Sequence, residues 1–395
     1  MNQRDATATP DNPSILPFAE SEFADRLERV QSDLRAAGVT ATLLVDPENI
    51  YWLTGYQSIG YFTFQCLFVP ADGRPSLVSR MVNKGLARAT PTLDRFVGIE
   101  DTAIPVDVLA RFLREALPSG ATLGIETGAW YFTVRDYHDL IARIDNPIEP
   151  CNGFVEAHRI IKTSAQIALM RRAARTAEAG IDAAIKAIAP DKTDNDLAAA
   201  MYQATIAAGS EYIGHPPLVV GGERSAHCFA TWHRRTLRPG DVVFLENAGC
   251  IDRYHSMLAR TAILGSPSKL VKSAAETSIA ILETAIDAIR PGVTSGNVDA
   301  ACRHIAEQAG MAEYSSNRVA YAIGIGFPPN WSEGRFLAIR PDDPTVLEPG
   351  MTFHIVGGAL FLPTFGMMFS DSVLVTDDGC DVLTDYPRAL VEVPC

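Results

Sequence analysis

The second half of this chain repeats itself, and that repeat restricts the folds open to it. Pro190-x-x-Thr193 opens a helical stretch that ends at Ala208-Gly209 and is followed by Glu211-Tyr212. Pro291-x-x-Thr294 opens another, ending at Ala309-Gly310 and followed by Glu313-Tyr314. Threonine is a good N-cap and glycine a good C′ residue, so each copy carries its own helix start and stop. Leu237-x-Pro-Gly-x-x-x-Phe244 and Leu347-x-Pro-Gly-x-x-Phe353 then lead into apolar strands. One strand ends Phe-Leu-Glu246-Asn, the other Phe-His-Ile-Val356, and each copy closes on a further strand. The pattern predicts two α+β halves related by a pseudo-two-fold, with helices flanking two curved antiparallel sheets and a cavity between them.

The first half reads differently. Residues 1–18 form a loose arm. Phe23, Leu27, Val30, Leu34 and Ala37 recur at helical spacing, and short strands then alternate with helical stretches to about residue 150. This is an α/β domain. Pro, Cys and Gly in quick succession from 147 to 153 mark its end, so the domains run 1–156 and 157–395, the first few residues of the second leading into a long helix from 164 to 188.

At 395 residues with 47% hydrophobic and 21% charged residues, the chain is neither disordered, fibrous nor a disulfide scaffold. A net charge of −13 repels phosphate backbones and anionic lipid, which argues against nucleic-acid and membrane partners. The N-terminus has no apolar stretch of signal-peptide type. The seven cysteines are scattered, with no CxxC, as in a cytoplasmic protein with buried free thiols.

The stretches DPENIYWLTGY, RIIKTSAQIALMRRAA, RPGDVVFLENAGCIDRYHSMLART, YAIGIGFPPNW and LEPGMTFHIVGGA fall in an order that resembles the creatinase / prolidase / methionine-aminopeptidase family. The resemblance implies a creatinase-type α/β N-terminal domain followed by a pita-bread catalytic domain, in a homodimer. Metallopeptidases of that family hold two metal ions with two Asp, one His and two Glu. Aligned through Arg260-Thr261, those positions are Glu246, Met257, Ile323, Val356 and Ser370 here. Met, Ile and Val offer no hard donor to a divalent cation, so no metal and no other cofactor is expected. Creatinase and the ectoine hydrolases are metal-free branches of the family, and the wording of the motifs is closer to the ectoine hydrolases. Creatinase itself is disfavoured by Ala259, which stands where creatinase has its carboxylate. The family's usual histidine falls at Phe229, with His227 two residues earlier. Either His227 serves in a shifted loop or the chemistry differs.

Strand alternation selects the candidate site. Residues two apart share a face, so Glu246, His255, His354 and Ser370 are expected to converge in a pocket walled by Met257, Ile323 and Val356. Glu246 is the candidate base, and His227, His255 or His354 the candidate acid. Tyr61, Trp232, Tyr254, Tyr321, Asn330 and Trp331 are candidate substrate contacts, the aromatic ones as a cage for a cation. Tyr61 is expected to reach a partner subunit's site. Arg260 and Asp371 read as an internal salt bridge, and a Cys228–His227 nucleophile lacks a third orienting group. Three functions stay open: a metal-independent hydrolase of a non-peptide C–N bond in a small zwitterionic or amidine-like compound, a lyase on a small onium compound, and a non-catalytic binding module. Ionisable groups kept in the pocket favour an enzyme.

Overall fold

The computed structural model describes residues 16–315 and 318–395, so most of the expected N-terminal arm lies outside the described residues. The chain forms two compact units, Met1–His158 and Arg159–Cys395; the boundary read from the sequence followed residue 156.

The first unit is built on six strands: β1 (Ala41–Leu44), β2 (Cys66–Pro70), β3 (Ser76–Arg80), β4 (Arg95–Ile99), β5 (Leu123–Ile125) and β6 (Ile148–Pro150). Their order is β4-β3-β2-β1-β5-β6. Helices α1 (Glu20–Ala36), α2 (Pro47–Thr54), α3 (Lys84–Ala89), α4 (Pro105–Ala116) and α5 (Val134–Ile141) accompany them. The expected stripe on α1 is buried at Phe23, Val30 and Leu34. The segment after β1 is a helix, with Pro47 in its first turn and Gly55 ending it at φ 71°. Glu126 secures that junction. Its carboxylate accepts the amides of Val45 and Asp46 at 2.6 and 2.7 Å.

A one-turn helix, α6 (Glu156–Arg159), falls at the division. The second unit opens with α7 (Ser164–Lys186), whose capping box pairs Thr163 with Gln166. The repeat follows as α8 (Asp194–Ala207) and α10 (Ser295–Gln308), separated by α9 (Lys269–Ala288). Thr193 and Thr294 are the N-caps. Each also makes an isolated bridge, to Thr236 and Val346 respectively, so the two copies dock their helix starts alike. Gly209 and Gly310 close the two helical segments at φ 103° and 66°.

The strands of this unit are β7 (Leu218–Gly221), β8 (Val242–Ile251), β9 (Tyr254–Leu264), β10 (Ala320–Phe327), β11 (Asn330–Ser332), β12 (Ala338–Ile339), β13 (Thr352–Ile355), β14 (Leu360–Phe361), β15 (Gly366–Met367), β16 (Asp371–Val375), β17 (Cys380–Val382) and β18 (Val391–Val393). Two separate sheets were expected. Instead β9 and β10 pair directly at Tyr254 and Ile325, which joins the halves into one ten-stranded sheet ordered β17-β16-β13-β10-β9-β8-β7 along its main path. That sheet curls strongly. Ser370, immediately before β16, bridges Ala259 of β9 although two strands lie between them in the order. The curl brings strands of the two halves face to face. Among the described residues no helix is long and apolar enough to cross a membrane.

The β8–β9 hairpin turns on Asp252 and Arg253, both at positive φ (47° and 62°). Neither is glycine, so the turn needs holding from outside. Arg253 supplies this. Its buried guanidinium donates to the carbonyls of Tyr212 (2.6 Å) and Gly326 (2.6 Å) and lies 3.9 Å from the centre of the Tyr212 ring.

Candidate active site

Glu246 lies mid-strand on β8, opposite Leu218 of β7 and Ala259 of β9. It is 5% exposed. Its carboxyl makes no hydrogen bond with any described residue; the nearest charged-type partner is His354, with Nδ1 3.9 Å from Oε1. Burial without a partner pushes the carboxyl up from 4.5 to about 8.

Sheet curvature delivers the other groups. His354 on β13 sits directly opposite Tyr321 on β10, and its Nδ1 is 2.7 Å from the phenol oxygen. Its Nε2 is 2.7 Å from Ser370 Oγ, which also accepts the Ala259 amide at 2.7 Å. Trp331 Nε1 donates to the Tyr321 oxygen at 3.1 Å. His354 is fully buried. Burial, with the nearby charge of Arg260, holds it down at about 3, so it is neutral. Tyr321 is held well above the usual phenol range by burial and by Glu246.

A rim surrounds this core. The Trp331 ring lies 4.8 Å from His215, and His215 lies 6.1 Å from Phe229. Phe229 is 74% exposed at φ 62°, a conformation that strains an aromatic residue. The thiol of Cys228 is raised by burial and by the charge of Glu246. His215 donates from Nδ1 to the Pro216 carbonyl at 2.6 Å, so Nε2 carries the lone pair. Spacing in the sequence did not single His215 out. The available signal was its place three residues before Leu218, the strand neighbour of Glu246.

The structure therefore brings together Glu246, His354, Ser370, Tyr321 and Trp331. His255 is not with them. It lies on the expected face, but four residues along β9 from Ala259, about 13 Å at the usual strand rise. Both its ring nitrogens serve the backbone: Nδ1 donates to the Arg253 carbonyl (2.9 Å) and Nε2 accepts the Gly214 amide (3.0 Å). Burial, assisted by Arg253, holds it neutral, well below the usual range. Tyr254 stands at the hairpin tip, where its hydroxyl accepts from Gln166 at 2.8 Å. His227 is exposed in the rim loop. Trp232 packs edge-on against Tyr202 at 5.9 Å. The Asn330 side chain accepts the Ser332 amide at 3.1 Å and stabilises its own turn. Met257, Ile323 and Val356 are buried, the first two completely. Tyr61 is buried in the first unit, edge-on to Tyr131 at 5.0 Å, and its ring is not presented at a surface. Arg260 and Asp371 form the anticipated buried pair at 2.8 Å, with Arg388 on the second carboxylate oxygen at 2.6 Å.

A creatinase-type α/β domain followed by a pseudo-symmetric curled sheet is the architecture of the pita-bread hydrolases. Residues 168–377 match metallopeptidase family M24 and residues 26–161 the creatinase/prolidase N-terminal domain, and the chain belongs to that family. It is 34% identical to an uncharacterized hydrolase/peptidase, y4tM, of Sinorhizobium fredii, over 95% of this chain and 99% of the relative. It is 29% identical to the ectoine hydrolase of Halomonas elongata, over 95% and 98% of the two chains. The prolidase of Thermococcus sibiricus superposes with a TM-score of 0.84 at 23% identity, over 94% of this chain and 99% of that one.

The metal centre that the family's name implies does not fit these residues. Of its five ligand positions only Glu246 carries a carboxylate. Ser370 is engaged by Ala259 and His354, and the other three positions are buried apolar side chains. Among the described residues, the one group of three or more His, Cys, Asp or Glu with ligand atoms close together is Asp46, Glu126 and Glu156, in the first unit.

Proposed function

We propose that the protein is a metal-independent hydrolase that opens a non-peptide C–N bond in a small zwitterionic or amidine-like compound of the ectoine type. One observation carries this: Glu246 is a buried carboxyl, without a hydrogen bond to any described residue, and the histidine nearest it, His354, is neutral. Such a carboxylate calls for a cation, and a bound amidinium both ionises it and is held by it. The ionised carboxylate then takes a proton from water, and the hydroxide adds to the amidine carbon. Aromatic rings at Trp331, Tyr321 and Phe229 suit the flat face of such a cation. The relationship to an ectoine hydrolase supports the substrate class. We take the enzyme to be cytoplasmic, in keeping with its seven free cysteines.

The test is turnover. Purified protein is incubated with ectoine and, separately, with an Xaa-Pro dipeptide, each with and without EDTA. Ring opening of ectoine that EDTA leaves unchanged is the expected result. Dipeptide cleavage that requires an added divalent metal would replace this reading with a peptidase.

A further inference from the structure

The hydrolase reading leaves one step unassigned: the departing nitrogen must receive a proton. His354 is poorly placed to give it, being neutral, fully buried and engaged at both ring nitrogens. The hydrogen bonds around it nevertheless have a direction.

Both ends of the chain of contacts are set by groups that can only donate. At one end the Ala259 amide donates to Ser370 Oγ. At the other the Trp331 indole donates to the Tyr321 oxygen. Ser370 is buried, and among the described residues the acceptor within reach of its hydroxyl hydrogen is His354 Nε2, at 2.7 Å. The serine proton therefore goes to Nε2. A neutral imidazole that accepts at Nε2 carries its own hydrogen on Nδ1, and that hydrogen points at the Tyr321 oxygen, 2.7 Å away. The phenol oxygen thus receives two N–H donors, from Trp331 and His354. Its own hydrogen is left to turn toward the pocket, where Glu246 stands 3.9 Å from the same Nδ1. Two preorganised N–H groups aimed at one oxygen stabilise negative charge on it.

We propose that Tyr321 is the general acid of this site, with Trp331 and His354 holding its phenolate and Ser370 fixing the tautomer of His354. The assignment rests on the hydrolase reading. Water gives its hydroxide to the amidine carbon and its proton to Glu246. The C–N bond breaks with its electron pair passing to nitrogen, the Tyr321 proton moves to that nitrogen, and the adduct's hydroxyl proton passes to the released amine as the carbonyl forms, so an amide and an ammonium leave. The phenolate then takes the proton held by Glu246. One water is consumed and every group returns to its starting state, so no further reactant is needed. Tyr321 touches the reacting atoms; His354, Ser370 and Trp331 are positioning residues.

The experiment uses the full-length protein with ectoine as probe, in H2O and D2O. Y321F is expected to lose about 10²-fold in kcat with KM nearly unchanged, and to show a smaller solvent isotope effect on kcat than the parent. W331F keeps the phenol but removes one donor to its oxygen; it is expected to lose about 10- to 100-fold in kcat and to keep the parent's isotope effect. Side-chain ¹⁵N NMR of the substrate-free parent should find the His354 hydrogen on Nδ1. A kcat for Y321F close to the parent's, a loss carried by KM alone, or a hydrogen on Nε2 would each overturn the assignment. If Y321F does not fold, an unchanged kcat in W331F overturns it equally. A parent that does not turn over ectoine removes the hydrolase reading itself, which is a different failure from an active parent indifferent to Tyr321.

Discussion

Glu246 and His354 lie 3.9 Å apart, yet they are not an ion pair. Burial drives both toward their neutral forms, the carboxyl up to about 8 and the imidazole down to about 3. Between those values the pocket holds an uncharged acid beside an uncharged base. The free site is poised for a cation and carries no charge of its own to match one.

Glu246→Gln tests the carboxyl in two ways. If Glu246 is the base, kcat falls by about 10²-fold or more with the fold intact. Stability moves the other way. The folded pKa of about 8 is above the ordinary 4.5, so the native state holds a proton that the unfolded chain releases in that window. The parent therefore loses stability as pH rises from 4.5 to 8, by up to about 1.4 kcal/mol per pH unit. Urea melts at pH 5 and pH 8 should show Gln gaining on the parent at the higher pH. A difference independent of pH would mean Glu246 is ionised in the free protein.

The pH profile of kcat/KM follows from the same group. If ionised Glu246 is the base in the free enzyme, kcat/KM climbs with pH, reaches half its plateau near 8 and levels above it. A limb that instead falls across this range would assign Glu246 the acid's part.

His354 acts in the acid range. Its folded value of about 3 is below the ordinary 6.5, so its contribution is whole above 6.5 and disappears as pH falls toward 3. His354→Gln should lower stability at pH 7, because it strips a partner from buried Tyr321 and Ser370; the cost is about 1–3 kcal/mol. It should also flatten the decline of stability between pH 6.5 and 4. Parallel pH curves for the two proteins would show that His354 is not held neutral.

Metal removal is expected to change nothing at the pocket. Elemental analysis should find no stoichiometric transition metal, and chelators should leave turnover unaltered. Two ions bound among Glu246, Met257, Ile323, Val356 and Ser370 would refute the donor argument.

A homodimer is expected, burying more than the roughly 1,600 Å² of a standard interface. In the first unit Ile59, Phe62 and Val82 are 63%, 74% and 77% exposed. Gly60 lies beside Asn83, so the two turns that carry them are neighbours and offer one apolar face. Light scattering at micromolar concentration should give the dimer mass, and a Phe62→Ser, Val82→Ser double variant should shift it toward monomer. A monomeric parent would end the expectation.

Much of this protein is legible one segment at a time. Thr193 and Thr294 announce their helices because a cap bonds only three residues ahead. The face of β8 that carries Glu246 is readable because strand alternation is a local rule, and the losses at Met257, Ile323 and Val356 are visible as residue types. Alternation assigns a face, however, and not a position along it. His255 and His354 satisfied the same rule. Only the long-range register separates them, committing His255 to Gly214, 41 residues away in the chain, and setting His354 opposite Tyr321. The union of the halves into one sheet was likewise hidden, since it depends on Tyr254 meeting Ile325 and on a curl that carries Ser370 to Ala259. The protonation of the site was hidden for the same reason. A carboxyl becomes a weak acid and a histidine a weaker base only when distant segments close over them and exclude water, and that desolvation belongs to the packed whole and to no stretch of sequence.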